Sequence, residues 1–155
     1  MATAFKCQIS VIGGSNCTPA EYDKAVKLGK GLAGLGAIVV CGGLGGIMEA
    51  VCRGSKENNG ITVGILPGED FKANPYVDIP IVTGLSHARN VLVARSGKVI
   101  VAVGGGYGTL SEMAIGLKLG KKIIGVDTWN ISDDVISVSS PDEALDIIKD
   151  LIEGE

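Results

Sequence analysis

The chain predicts an α/β fold: a Rossmann-like, doubly wound, mostly parallel sheet with helices on both faces. Three observations carry that expectation. Short β-branched runs alternate with helix-forming stretches along the whole 155-residue sequence, and repeated β-α units call for right-handed crossovers between parallel strands. Hydrophobic residues make up 46% of the chain and aromatics only 4%, so the core must be Val, Ile, Leu and Ala, as in strands covered on both sides. The 24 glycines follow no collagen-like period and collect where strands end, which marks turns. A chain of this length supports one sizeable core, so residues 1–155 are expected to form a single Rossmann-like domain.

The elements follow in order. Residues 7–12 read as the first strand, ending at Gly13-Gly14. Thr18-Pro19-Ala20-Glu21 opens a helix, with Thr as N-cap, Pro in the first position and Glu closing a capping box. That helix stops at Gly36. A second strand at 37–41 precedes a helix at 47–58, which ends on the C-cap signal Asn58-Asn59-Gly60. Strand three covers 61–66 and breaks at Pro67-Gly68; a short fourth strand covers 79–82. Ser86 is expected to cap a helix running through Ser96, followed by strand five at 98–103, a helix at 109–119 and strand six at 123–126. A short edge strand at 135–138 and a helix from Ser140-Pro141-Asp142-Glu143 to 152, with its own capping box, complete the chain. The expected sheet order is 3-2-1-4-5-6 with an extra edge strand. Strands one and four then flank the point where the winding reverses, and ligands bind outside the strand ends at such a point. The turns after strands one, two, four and five would converge there, bringing together Gly13, Gly14 and Ser15, the 42–46 glycines, residues 86–90 and residues 104–112.

Composition excludes several classes. A formal net charge of −3 argues against nucleic acid, which is bound by basic surfaces. No apolar run approaches a membrane span, and the leading Met1-Ala2-Thr3-Ala4-Phe5-Lys6 has no signal-peptide pattern; a cytoplasmic protein is expected. The four cysteines lack C-x-x-C or zinc spacing, and the single histidine, His87, cannot anchor a histidine cluster, so no metal is expected. Cys7, Cys41 and Cys52 read as small buried hydrophobes, and Cys17, in a loop, as the candidate reactive thiol.

The most informative stretch is Val99-Ile100-Val101-Ala102-Val103-Gly104-Gly105-Gly106-Tyr107-Gly108-Thr109-Leu110-Ser111-Glu112. A strand runs into three glycines and then a helix, so free backbone N–H groups meet the positive end of the helix and offer an anion site. Ile38-Val39-Val40-Cys41 running into Gly42-Gly43-Leu44-Gly45-Gly46 repeats the design. Candidate phosphate-binding residues are therefore Gly13, Gly14, Ser15, Gly43, Gly45, Gly46, Gly105, Gly106, Tyr107, Gly108 and Thr109, with Asn90 at the crevice rim. The simpler reading is that the glycines only let helices pack close to the sheet. Bulk at Gly106 or Gly108 is expected to block ligand approach and to strain a positive φ. Neither the dinucleotide fingerprint nor a P-loop is present. Glu112 has two readings: a carboxylate over the crevice, or the closing partner of a Thr109-x-x-Glu112 capping box. Arg89, a cation in the first turn of its helix, opposes the macrodipole and points to an anion partner or a buried pair, unless it lies on the surface. His87 reads as a helix-entry polar residue more readily than as a base. Tyr107 and Trp129 could each stack on a flat ring or meet another subunit.

Ser86-His87-Ala88-Arg89-Asn90 and the 104–112 stretch together resemble the LOG (Lonely guy) superfamily, some of whose members carry the label lysine decarboxylase. Its hallmark is P-G-G-x-G-T-x-x-E with an upstream M-H-x-R-K, and Gly42-Gly43-Leu44-Gly45-Gly46-Ile47-Met48 is similar to its G-G-G-x-x-G-L-M-G turn. Gly104 stands for the hallmark proline, Asn90 for the lysine and Glu49 for the last glycine. These variants resemble a shorter branch that includes molybdenum-cofactor carrier proteins. The resemblance implies a homodimer or homotetramer and a small phosphorylated ligand. In the hydrolase branch it implies cleavage of a nucleoside 5′-monophosphate to free base and ribose 5-phosphate, with Glu112 and Arg89 catalytic, the Thr109 hydroxyl an added donor and no cofactor required. The alternative is a non-catalytic protein that binds the molybdenum cofactor, a pterin. No pyridoxal-binding lysine motif supports decarboxylation.

Overall fold

The computed structural model describes residues 7–154; residues 1–6, scanned above for a leader, lie outside them. Seven parallel strands, β1 (Cys7–Gly13), β2 (Ala37–Cys41), β3 (Thr62–Leu66), β4 (Ile79–Val82), β5 (Val99–Val103), β6 (Lys122–Val126) and β7 (Val135–Val138), form one sheet in the order β4-β3-β2-β1-β5-β6-β7. Five helices connect or flank them: α1 (Pro19–Gly34), α2 (Ile47–Glu57), α3 (Asn90–Ser96), α4 (Tyr107–Lys118) and α5 (Pro141–Glu153). The Rossmann-like class is the one the sequence predicts. One placement differs from the expected order. β4 lies outside β3, with Val63 beside Ile79 and Ile65 beside Ile81, so β5 rather than β4 neighbours β1. A four-residue strand containing Pro80 has one ladder donor fewer, which suits an edge. The winding reversal therefore falls between β1 and β5.

β5 shows why the chain reads as a two-sided sheet. Its successive residues point to opposite faces. Val99, Val101 and Val103 join the core beneath α1, α2 and α5, while Ile100 and Ala102 join the core beneath α3 and α4. All five are buried. The first of these layers includes a close helix crossing. A Cβ on Gly29 would strike the Val51 carbonyl, and one on Gly54 would strike the Val26 carbonyl, so only glycine lets α1 and α2 approach this far.

The helix ends follow their sequence signals, with three differences. The Thr18 side chain accepts from Glu21 N at 3.1 Å, and Glu21 Oε1 accepts from Thr18 N at 2.9 Å, completing the box at α1. At α5 only half of the expected box forms: Ser140 Oγ accepts from Glu143 N at 3.3 Å, but the Glu143 carboxylate accepts from Ser139 N at 3.2 Å instead. Ser86 does not cap a helix; it has φ 53 and opens a 3-10 turn over Ser86–Arg89, which delays α3 to Asn90. The helix after the glycine run starts at Tyr107, with Gly106 as an N-cap that offers no side-chain bond. Thr109 is thus the third residue of α4 and cannot form the N-cap of a box with Glu112.

Candidate functional site

At the carboxyl ends of the central strands lies a cavity of about 270 Å³. Parallel strands all end on one rim, and the turns leaving them meet where the winding reverses. After β1 the wall is Gly13, Gly14 and Ser15; after β2 it is Gly42, Leu44 and Met48. The segment after β4 contributes His87, Arg89 and Asn90, and the start of α4 contributes Gly106, Tyr107, Gly108, Thr109 and Glu112. Sequence-distant turns thus meet, and they are the four named from the sequence.

Four of the candidate glycines lie elsewhere. Gly43 (φ +78) packs on Gly64 and Leu66, and Gly46 (φ +62) is pressed against the Gly14 and Ser15 carbonyls. Gly45 has only Ser15 O in its vicinity, and Gly105 lies against the Thr109 side chain. The two glycine turns are therefore not equivalent. The first amide of α2, Ile47 N, donates to Gly14 O at 3.0 Å, so the leading amide of that helix is engaged with the β1 turn. At α4 the first intrahelical bond runs from Leu110 N to Gly106 O at 3.0 Å, leaving the amides of Tyr107, Gly108 and Thr109 without helix acceptors. Positive φ occurs at Gly104 (+55) and Gly105 (+110), not at Gly106 or Gly108. A proline cannot adopt φ +55, so the backbone here matches the replacement of the hallmark proline by Gly104.

Arg89 is no surface residue: it is 8% exposed. Its Nε donates to Ile65 O at 2.9 Å and Nη2 to Gly42 O at 3.4 Å, while Nη1 donates to Asn90 Oδ1. Asn90 Nδ2 donates in turn to Ser111 Oγ at 3.1 Å, and Ser111 Oγ to Gly108 O at 2.6 Å. One chain of bonds therefore joins the β2 turn, Arg89 and the first turn of α4. Burial lowers the guanidinium pKa, opposed by the charge of Glu112. Glu112 is 7% exposed. Among the described residues none donates a hydrogen bond to it, and burial pushes its carboxyl up to about 7 against the pull of Arg89. A carboxyl that titrates near neutrality inside a cavity can hold or release a proton there.

The sequence places the 42–46 turn at the crevice but assigns no ligand contact to Gly42, Leu44 or Met48, which line it; hydrophobic side chains beside a glycine turn give no distinctive signal. Tyr107 and Trp129 stack on each other, with centroids 6.2 Å apart and planes at 23°. Cys41 and Cys52 are buried with sulfurs 3.5 Å apart; the bond from Cys52 lowers the Cys41 pKa. Cys17 is no activated thiol: burial, then the carboxylates of Glu21 and Glu49, raise its pKa. No group of three or more His, Cys, Asp or Glu among the described residues is arranged to hold a metal. No helix among them is long and apolar enough to cross a membrane.

Fold and cavity define a Rossmann-like α/β protein with one helix N-terminus open beside a buried Arg–Glu site. The chain belongs to the SLOG cluster4 family, whose model matches residues 6–152. It is 40% identical to an uncharacterized protein of Archaeoglobus fulgidus over 89% of this chain and 91% of that protein. The molybdenum cofactor binding protein of the phototrophic bacterium Rippkaea orientalis has a similar structure, with TM-score 0.86 and 34% identity over 94% of this chain and 95% of that one. The molybdenum cofactor carrier protein of Chlamydomonas reinhardtii gives TM-score 0.85 and 34% identity over 94% and 98%. Similarity to the rice cytokinin riboside 5′-monophosphate phosphoribohydrolase LOG is 33% over 65% of this chain, which spans 44% of that protein.

Proposed function

We propose that this protein binds a phosphate-bearing pterin of the molybdenum-cofactor type and carries it without chemical change. The observation that carries the reading is one cavity holding two unlike, unsatisfied ends: the free amides of α4 at Tyr107, Gly108 and Thr109, and the unpartnered Glu112 carboxyl. Amides at a helix N-terminus suit a phosphate. A carboxyl suits the N–H edge of a pterin, accepting when ionised and donating when protonated. Arg89 supplies the compensating cation. The end-to-end likeness to molybdenum cofactor carrier proteins supports this assignment over the partial likeness to the rice hydrolase.

A second reading, nucleoside 5′-monophosphate hydrolysis, is favoured by the near-neutral Glu112. In it, the carboxylate would orient water toward the sugar carbon as the bond to the base breaks. Incubation with AMP and other monophosphates, followed for free base and ribose 5-phosphate, separates the two. The expected result is no turnover above blank, with a phosphorylated pterin bound. Release of both products by the pure protein overturns the carrier reading; failure to bind any phosphorylated ligand overturns both.

Self-association as a homodimer or homotetramer belongs to the same proposal. As an interface α2 is disfavoured, because its charged Arg53, Lys56 and Glu57 lie on its outer side. α3 is the better candidate, because Val91 and Leu92 are exposed there beside Leu85.

A further inference from the structure

We infer that Thr128 and Trp129, just after β6, are positioning residues that hold the glycine turn with its amides presented to the ligand. The inference rests on the phosphate-binding reading above. Residues 104–106 are all glycine and carry no side chain to fix their peptide planes, and Gly104 and Gly105 occupy the positive-φ region. Such a turn can exchange peptide orientations unless something outside it intervenes. Two side chains do so. Thr128 Oγ1 donates to Gly104 O at 2.6 Å, and Trp129 Nε1 donates to Gly106 O at 3.0 Å.

A peptide unit is planar, with its C=O and N–H pointing in opposite directions. Tying Gly106 O therefore fixes the N–H of Tyr107, which is one of the free amides of α4. Tying Gly104 O fixes the Gly104–Gly105 peptide plane, which lies outside the cavity lining but begins the turn that leads into those amides. Gly106 O also accepts from Leu110 N, so the Trp129 bond adds a second anchor to the first turn of the helix. The clamp is itself held in place. Asp127 has φ 51 and bonds Lys24 Nζ on α1 at 2.5 Å, and the Trp129 ring stacks on Tyr107. The opposite face of that tyrosine is open, the residue being 83% exposed.

The test uses the full chain with Thr128→Val, Thr128→Ser and Trp129→Phe. Inorganic phosphate and AMP are titrated by calorimetry, and a melting curve is recorded on each sample. Trp129 is the single tryptophan, so its emission in the native protein and the Thr128 variants reads the turn directly. Loss of one hydrogen bond predicts affinity about fivefold weaker for Thr128→Val and for Trp129→Phe. Thr128→Ser keeps the hydroxyl and restores native affinity, and the native emission shifts on saturation. Native binding with all variants equal overturns the clamp and leaves the phosphate reading standing. Equal weakening in Val and Ser, tracking a lowered melting temperature, also overturns it. If the native chain binds neither probe, the phosphate reading falls and the clamp falls with it.

Discussion

Gly108 and Glu112 bear the sharpest consequences at the residue scale. A Cβ on Gly108 meets nothing within 4 Å, so the fold has room for a side chain at this position of the cavity wall. Gly108→Ala is expected to keep or raise stability, by up to about 1 kcal/mol from helix propensity, while phosphate or AMP affinity falls. Calorimetry and a melting curve on one sample check this; native affinity in the variant contradicts the anion site. Glu112 gives a pH signature. Its carboxyl titrates near 7 when folded, against an ordinary value of 4.5. Between those values the folded chain holds a proton that the unfolded chain has released. Stability therefore falls as pH rises from about 4.5 to 7 and levels off above, a change on the order of 3 kcal/mol. Glu112→Gln is expected to flatten that slope in urea unfolding at pH 5 and pH 8; an unchanged slope refutes the burial account. Residue pattern leaves Glu112 two readings, and the start of the helix decides between them. Thr109 lies too far into α4 to cap it, a point that turns on backbone geometry rather than residue pattern.

Among the elements, the α1–α2 crossing makes the clearest demand. Gly54→Ala would gain helix propensity of about 1 kcal/mol, yet its methyl strikes the Val26 carbonyl. Overpacking against backbone, typically about 1–3 kcal/mol, should win, giving net destabilisation in chemical unfolding. Unchanged or raised stability would mean the helices part freely. Elements with local signals were legible: the capping box of α1, the edges of β2 and the bounds of β7 all coincide with their sequence marks. What escaped was non-local. The place of β4 depends on which strand it joins, and its own four residues do not say. The delay of α3 by a 3-10 turn hides behind a Ser86 that looks like a cap. The engaged α2 terminus and the open α4 terminus carry similar glycine patterns and differ only in what packs beside them.

For the whole molecule, coverage of the sheet is uneven. Three helices lie over one face and two over the other, and on the thinner side Ile81, Leu85, Val91 and Leu92 remain exposed. If that side meets a second copy, light scattering at micromolar concentration gives at least twice the chain mass. A Leu92→Glu change should then return a monomer, whereas a native monomer defeats the expectation. The parallel register has another outcome. The cavity opens where the strands finish, while β1 begins at the opposite rim. α5 ends there too, since Lys98, just before β5, reaches the Leu151 carbonyl at 3.2 Å. Both ends of the described chain, residues 7 and 154, therefore face away from the mouth. A dye, a bead or a fused receptor attached at residue 154 would leave the entrance unobstructed, so ligand entry and release, and with them the proposed carriage, could be watched on an immobilised chain.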